Sequence, residues 1–341
     1  MNYSSISIQG NILTSEILEK IRTEDTRFQK SIDFGINSNI RDEINLVWSI
    51  AITNWNVFKQ KRDQLSDIDS ATTETRKYWI IPLFSALGYE ISTSNAEVIN
   101  SKSYAISHRV NNKEGFPIHI VGLNQSLDKR AETGGTRLSP HALVQEYVNN
   151  TEHLYGLVTN GRFLRLLRDA TRLSRLSYLE FDLEQIMEDS LYSEFALLYR
   201  LLHVTRLPSQ IDFGPESILE FYHLEAISSG SRIRERLSIA VEVSIKELAN
   251  GILNYSTNEN IREKIINNEL TSKEYYLFIL RLVYRLLFLL VIEERKLIYP
   301  DKRDESLNKL RDTYYQFYSI QRLTQLSVKM VYIDPKKSDL W

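Results

Sequence analysis

Five arginines, Arg162, Arg165, Arg168, Arg172 and Arg175, fall within fourteen residues, and Asp169 is the only acid among them. A guanidinium carries paired N–H donors that match phosphate oxygens, and such contacts place a protein on DNA without reading its sequence. Strand alternation sends neighbouring residues to opposite faces, so the five cannot share one surface. If the chain curls back from Leu173 onward, Arg162, Arg168 and Arg172 form a phosphate-contacting stripe that Lys129, Arg130 and Arg137 extend. The same arginines have internal partners nearby in Glu180, Asp182, Glu184 and Glu188, and the two roles are compatible.

Most other catalytic signatures are missing from the sequence. It contains no Gly-x-Gly-x-x-Gly, no Gly-Lys-Ser/Thr phosphate loop and no Gly-x-Ser-x-Gly elbow. The six histidines, at 108, 119, 141, 153, 203 and 223, include no i,i+4 pair, which excludes a helical zinc site of the His-Glu-x-x-His kind. Zero cysteines exclude disulfides, thiolate metal ligands and thiol nucleophiles. Thr133-Gly134-Gly135-Thr136 reads as a flexible turn rather than a phosphate cradle.

The elements that must position these residues follow from periodicity and turn chemistry. Ile44, Val47, Trp48, Ala51, Trp55 and Phe58 mark one face of a helix within 38–66, and a second helix over 75–87 stops at Gly88. Residues 104–110 and 117–123 read as strands joined through Asn111–Gly115. Ser139-Pro140 opens a helix, and Asn160-Gly161 turns a hairpin between 154–159 and 162–168. From Phe181 on, the pattern is helical, with a linker over 210–215. The apolar run 275–292, interrupted by Arg281 and Arg285, reads as a buried amphipathic helix. A membrane span needs about 20 largely uncharged residues.

Taken in order, a helix ending in LGYE (87–90), a hairpin, the strand PIHIV (117–121), a helix, and a strand running into Thr159-Asn160-Gly161 resemble the core of PD-(D/E)xK nucleases. With residues 177–208, 280–300 and 314–323, the chain is similar over nearly its whole length to the amino-terminal region of type IIG-like restriction–modification proteins, which join a nuclease-like part to an adenine methyltransferase. The resemblance implies an acid on one strand and a Glu/Asp-x-Lys on the next, holding Mg²⁺. Here the first strand reads Ser103-Tyr104-Ala105-Ile106-Ser107 and the second Ile118-His119-Ile120-Val121-Gly122-Leu123, without acid or lysine. Glu90, Asp128 and Lys129 are the nearby substitutes. The methyltransferase loop Asn/Asp-Pro-Pro-Tyr/Phe is also missing, since Asp334-Pro335 continues into Lys336-Lys337.

The whole chain, 341 residues with 43% apolar and 25% charged side chains and a net charge of −2, has the composition of a globular protein rather than a disordered or fibrous one. The expected class is α+β, a PD-(D/E)xK-like mixed sheet flanked by helices and followed by a mainly helical region. The expected boundaries are a helical segment over 1–69, a nuclease-like core over 70–175, and helices over 176–341. The expected function is a non-catalytic DNA-associated module of a restriction–modification or phage-defence system, as a split subunit or truncated product. It would work in the cytoplasm, bind no cofactor or membrane, and partner DNA and a separate methyltransferase chain. The alternative is a displaced-site endonuclease, with Glu90 and Asp128 holding Mg²⁺ and Lys129 assisting. A third possibility, a gene remnant lacking its helical partner, would leave the face of 275–292 partly exposed and self-associating.

Overall fold

The computed structural model describes residues 3–66, 69–130, 137–169, 177–295, 297–298 and 305–333, with backbone alone for 305, 306 and 327–333. Contacts divide the chain into two compact units, Met1–Ser231 and Arg232–Trp341. The expected boundaries near 70 and 175 are not where the contacts divide.

Unit one is α+β around a seven-stranded mixed sheet. Its strands are β1 (Ile6–Gln9), β2 (Ile91–Thr93), β5 (His108–Val110), β6 (Phe116–Ile120), β7 (Tyr155–Thr159), β8 (Phe163–Arg168) and β9 (Tyr178–Asp182), in the order β1-β9-β8-β7-β6-β5-β2. A separate hairpin joins β3 (Glu97–Ile99) to β4 (Lys102–Tyr104). Within the large sheet β6 and β7 are parallel, and every other neighbouring pair is antiparallel.

Local chemistry explains most joints. The Asn160 side chain accepts from the N–H groups of Arg162 (3.1 Å) and Phe163 (2.8 Å), and Gly161 sits at φ +86° in the left-handed region that β-carbons disfavour. Ser139 Oγ accepts from the Ala142 N–H at 3.2 Å to start α5 (Pro140–Asn149), the crossover that returns the chain parallel to β6. Two expectations change. The run 104–110 is broken at 105–107 into β4 and β5, and residues 178–182, read in part as helix, form β9. There Leu179 and Phe181 are buried while Tyr178, Glu180 and Asp182 alternate outward. β1 pairs with β9, which draws the amino-terminal segment into the sheet.

Helices cover both faces. On one, Ile118, Ile120, Leu157, Leu164, Leu166, Leu179 and Phe181 join a core with α1 (Ser15–Arg22), α2 (Ile40–Arg62) and, beyond the short α3 (Thr72–Glu74), α4 (Ile81–Ala86). The α6 (Leu183–Glu188) and α7 (Tyr192–Leu202) helices complete that layer. On the other face Val158 and Leu167 pack with Leu143, Val144, Tyr147 and Val148 of α5.

Helix α8 (Ile218–Asn254) begins in unit one and continues into unit two, which also holds α9 (Glu259–Ile266), α10 (Ser272–Glu294), α11 (Glu305–Phe317) and α12 (Ile320–Ile333). Its described core is small, with Ile245, Ile279 and Val283 at the centre. The buried Glu293 organises one end of it. Its carboxylate accepts from Tyr314 OH (2.7 Å) and from the N–H groups of Ile320 (2.8 Å) and Gln321 (3.2 Å), at the start of α12. These bonds satisfy donors that a helix start leaves open. Glu293→Ala is expected to lower the stability of unit two by about 2 kcal/mol, since three bonds to a charged acceptor are lost. Thermal melting of the full chain followed by circular dichroism measures it, and an unchanged melt contradicts the capping role.

The expectation of a buried α10 is corrected. Only Ile279, Val283 and Glu293 are buried along its 23 residues. It is long and apolar enough to cross a membrane by length and composition, with mean hydropathy 2.0 over an 18-residue window of which 11% is buried. The sequence offers Arg281 and Arg285 either Glu293 or a partner carboxylate; the Glu293 oxygens are taken by Tyr314 and the α12 backbone. The Arg281 guanidinium lies 5.9 Å from the Phe278 ring centroid.

Candidate nucleic-acid interface

The carboxyl ends of the parallel strands β6 and β7 are where ligands of α/β sheets usually sit, because the backbone groups leaving the strands are open there. In this fold a π-helical turn, Thr75–Ile80, fills much of that place. Pro82 follows it; a proline ring would clash with the Tyr78 carbonyl in an α-helix, and the wider π turn relieves that crowding. Arg76 donates through Nε (3.1 Å) and Nη2 (2.6 Å) to the Ile120 carbonyl, Thr75 Oγ1 accepts from the Leu123 N–H (3.2 Å), and Trp79 Nε1 donates to the Gly161 carbonyl (2.8 Å). The approach is close enough that a β-carbon on Gly122 would fall 1.8 Å from the Ser70 carbonyl oxygen.

The ribbon that the nuclease resemblance would load with carboxylates holds Ser107, His108 and His119. Ser107 Oγ lies 2.7 Å from His108 Nδ1 and accepts from the Ile120 N–H (2.8 Å), while the Ser107 N–H donates to His119 Nδ1 (3.2 Å). Burial, reinforced by the Arg76 charge, pushes both imidazoles down to about 4, so they are neutral at pH 7.

Along the sheet, cross-strand partners place His119, Val158, Arg165 and Glu180 in one row. Arg165 is its hub. Its Nη1 and Nη2 donate to the two carboxylate oxygens of Asp128 (2.6 and 2.9 Å), its Nε donates to Glu180, and its guanidinium stacks 4.6 Å from the Tyr178 ring. Nη1 also approaches His141 Nδ1 at 3.2 Å, leaving the buried His141 Nε2 without a partner. The hydrogen bonds from Arg165 hold the Asp128 carboxyl below its usual range against the opposing effect of burial. Burial pushes His141 down to about 4, with the Arg165 charge adding to it.

Each sequence candidate can now be placed. Asp128 is the anchor of the 121–130 loop through Arg165, with both oxygens engaged. Lys129 and Arg130 follow it, exposed and without an ion pair among the described residues, and Arg137 is likewise exposed and unpaired. Glu90 lies exposed just before the edge strand β2, its N–H donating to Asn112 Oδ1 (3.4 Å). At about 4.8 Å per strand, β2 stands about 19 Å from β8 across the sheet, so the structure does not bring Glu90 and Asp128 together. Among the described residues no group of three His, Cys, Asp or Glu side chains is placed to hold a metal ion.

The arginines divide between surfaces. Arg162, half exposed, pairs with Glu184 (2.9 Å), which Arg62 also approaches (3.7 Å). These side chains line an open polar cleft of about 510 Å³ with Leu123 and Asn124. Arg165 is buried towards α5, and Arg168 turns to the other face to clamp Glu220 with Nε (2.9 Å) and Nη2 (2.7 Å). Arg172 and Arg175 lie outside the described residues. Internal pairing therefore takes Arg162 and Arg165 with two of the four expected acids, and Arg168 with Glu220. Sequence reasoning missed the Asp128–Arg165 bond, which joins residues 37 positions apart. Compared with family models, curated proteins and solved structures, the chain matches none.

Proposed function

We propose that unit one is a PD-(D/E)xK-shaped scaffold without hydrolytic activity that holds DNA by its phosphates. On this reading it is an amino-terminal module of a type IIG-like restriction–modification or phage-defence system, acting beside a separate methyltransferase chain. The order α4, antiparallel β2-β5-β6, α5, then β7 parallel to β6 supports the shape. The observation that carries the loss of hydrolysis is Arg165: it takes both oxygens of Asp128, the acid the displaced-site reading needs, into an internal fork. A carboxylate so engaged is not open to a hard cation.

The same fork frees the next two residues for another task. By fixing the end of the loop, it presents the unpaired Lys129 and Arg130. Arg162 sits beyond the turn that ends β7, and its half-exposed pair with Glu184 costs little to open. Arg168 drops from the contact set because the buried Glu220 engages its guanidinium.

Duplex binding followed by fluorescence anisotropy tests the proposal. Three phosphate contacts give a log–log salt slope of about −2.7, and so roughly 40-fold weaker binding between about 50 and 200 mM salt. The combined Lys129→Ala, Arg130→Ala and Arg162→Ala variant is expected to lose most of that slope. Undetectable or salt-insensitive binding by folded protein overturns the DNA role. Plasmid cleavage with Mg²⁺ or Mn²⁺ that disappears in Asp128→Asn overturns the scaffold role in favour of the endonuclease.

A further inference from the structure

Unit two buries little and exposes much. Along α10, Leu277, Arg281, Tyr284, Phe288 and Val291 recur at steps of four, three, four and three, the spacing of a coiled-coil seam. This side is open: Tyr284 is 60% exposed and Phe288 66%, and an apolar groove of about 550 Å³ runs past them. The opposite side of the same helix carries Ile279 and Val283, which pack with Ile245. The groove is centred on a second face, with Leu287 on the border between the two.

We propose that this face is covered by α10 of a second copy of the chain, the two helices running antiparallel about Tyr284. In that register Leu277 meets Val291, Arg281 meets Phe288, and Tyr284 meets Tyr284. Aliphatic is set against aliphatic, cation against aromatic ring, and ring against ring, so the face is complementary to itself. A parallel pair would instead stack Arg281 on Arg281, at the cost of like charges in contact. The area is sufficient as well. With Phe278 beside the seam, the exposed apolar portions amount to roughly 540 Å² per copy at about 200 Å² per full side chain, which doubles to just above the roughly 1,000 Å² that a specific interface must clear. Lipid is the poorer occupant, because Arg281 and Arg285 stand in the middle of the apolar run. The inference is independent of any DNA role.

The natural absence of cysteine makes the register directly testable on the full chain. Sedimentation velocity over a wide concentration range is expected to show a dimer, and Phe288→Glu a monomer with unchanged helical circular dichroism. On mild oxidation Tyr284→Cys is expected to form a covalent dimer. Leu277→Cys is not, because its two copies lie about 21 Å apart along the axis at about 1.5 Å per residue, beyond the about 7 Å that a disulfide bridges. A mixture of Leu277→Cys and Val291→Cys chains is expected to cross-link. A wild-type monomer at every concentration, equal cross-linking of Tyr284→Cys and Leu277→Cys, or a persistent Phe288→Glu dimer overturns the proposal. Flotation with phosphatidylcholine vesicles does so too, by making lipid the occupant.

Discussion

Arg165→Ala is expected to destabilise unit one by about 3 kcal/mol, the scale on which removing one partner of a buried ion pair acts. The Arg165 side chain is 6% exposed and binds two acids, and Glu180, 17% exposed, has little water to turn to when the guanidinium is gone. Asp128 is different: at 59% exposed it rehydrates, so Asp128→Asn is expected to cost less than about 1 kcal/mol. Urea unfolding followed by tryptophan fluorescence, with Trp55 and Trp79 buried in this core, separates the two variants. Equal losses would mean that the fork to Asp128, and not the bond to Glu180, carries the stability. The acid dependence has a defined sign. Because the folded Asp128 carboxyl is held below its free value, its contribution is present above about pH 4 and is lost as pH falls through the folded value. Asp128→Asn removes that part of the acid sensitivity.

Local signals carried much of unit one. The face Ile44, Val47, Ala51, Trp55 and Phe58, the Ser139-Pro140 start and the Asn160-Gly161 turn each depend on residues a few positions apart, and each is where the sequence placed it. β9 was hidden because its alternation lasts five residues and runs directly into the apolar Leu183 of α6. β1 has four residues, one of them Gln9, and gains its identity only by pairing with a strand about 170 positions away. The site divides in the same way. The pairs of Arg165 with Glu180 and of Arg162 with Glu184 are near neighbours in sequence, whereas Asp128 and Glu220 reach their arginines through tertiary contacts. α10 misled for another reason. A long apolar run broken by only two arginines signals burial in a monomer, and the same pattern serves a helix with an unfilled face.

Lowering the pH is expected to unfold unit one well before its carboxylates are protonated. All six histidines lie in it, and burial drives every one of them below its free value. For His108, His119, His141, His153 and His203 the folded value is about 4. In the unfolded chain an imidazole binds its proton near pH 6.5, so between pH 6.5 and 4 the unfolded state holds protons that the folded state refuses. Stability is therefore full above pH 6.5 and falls as pH falls through this window. At about 1.4 kcal/mol per proton per pH unit, five such groups give a slope of order 5 kcal/mol per unit near pH 5, against a total stability of about 5–15 kcal/mol for a typical domain. Cooperative loss of tryptophan fluorescence structure is expected between pH 6 and pH 4. The Arg76 charge adds to burial at His108 and His119, and His119→Asn is expected to shift the midpoint to lower pH, since an amide has no proton to gain. A stability that stays flat from pH 7 to 4.5 would mean that these imidazoles reach water in solution and that the ribbon is open where the structure has it closed.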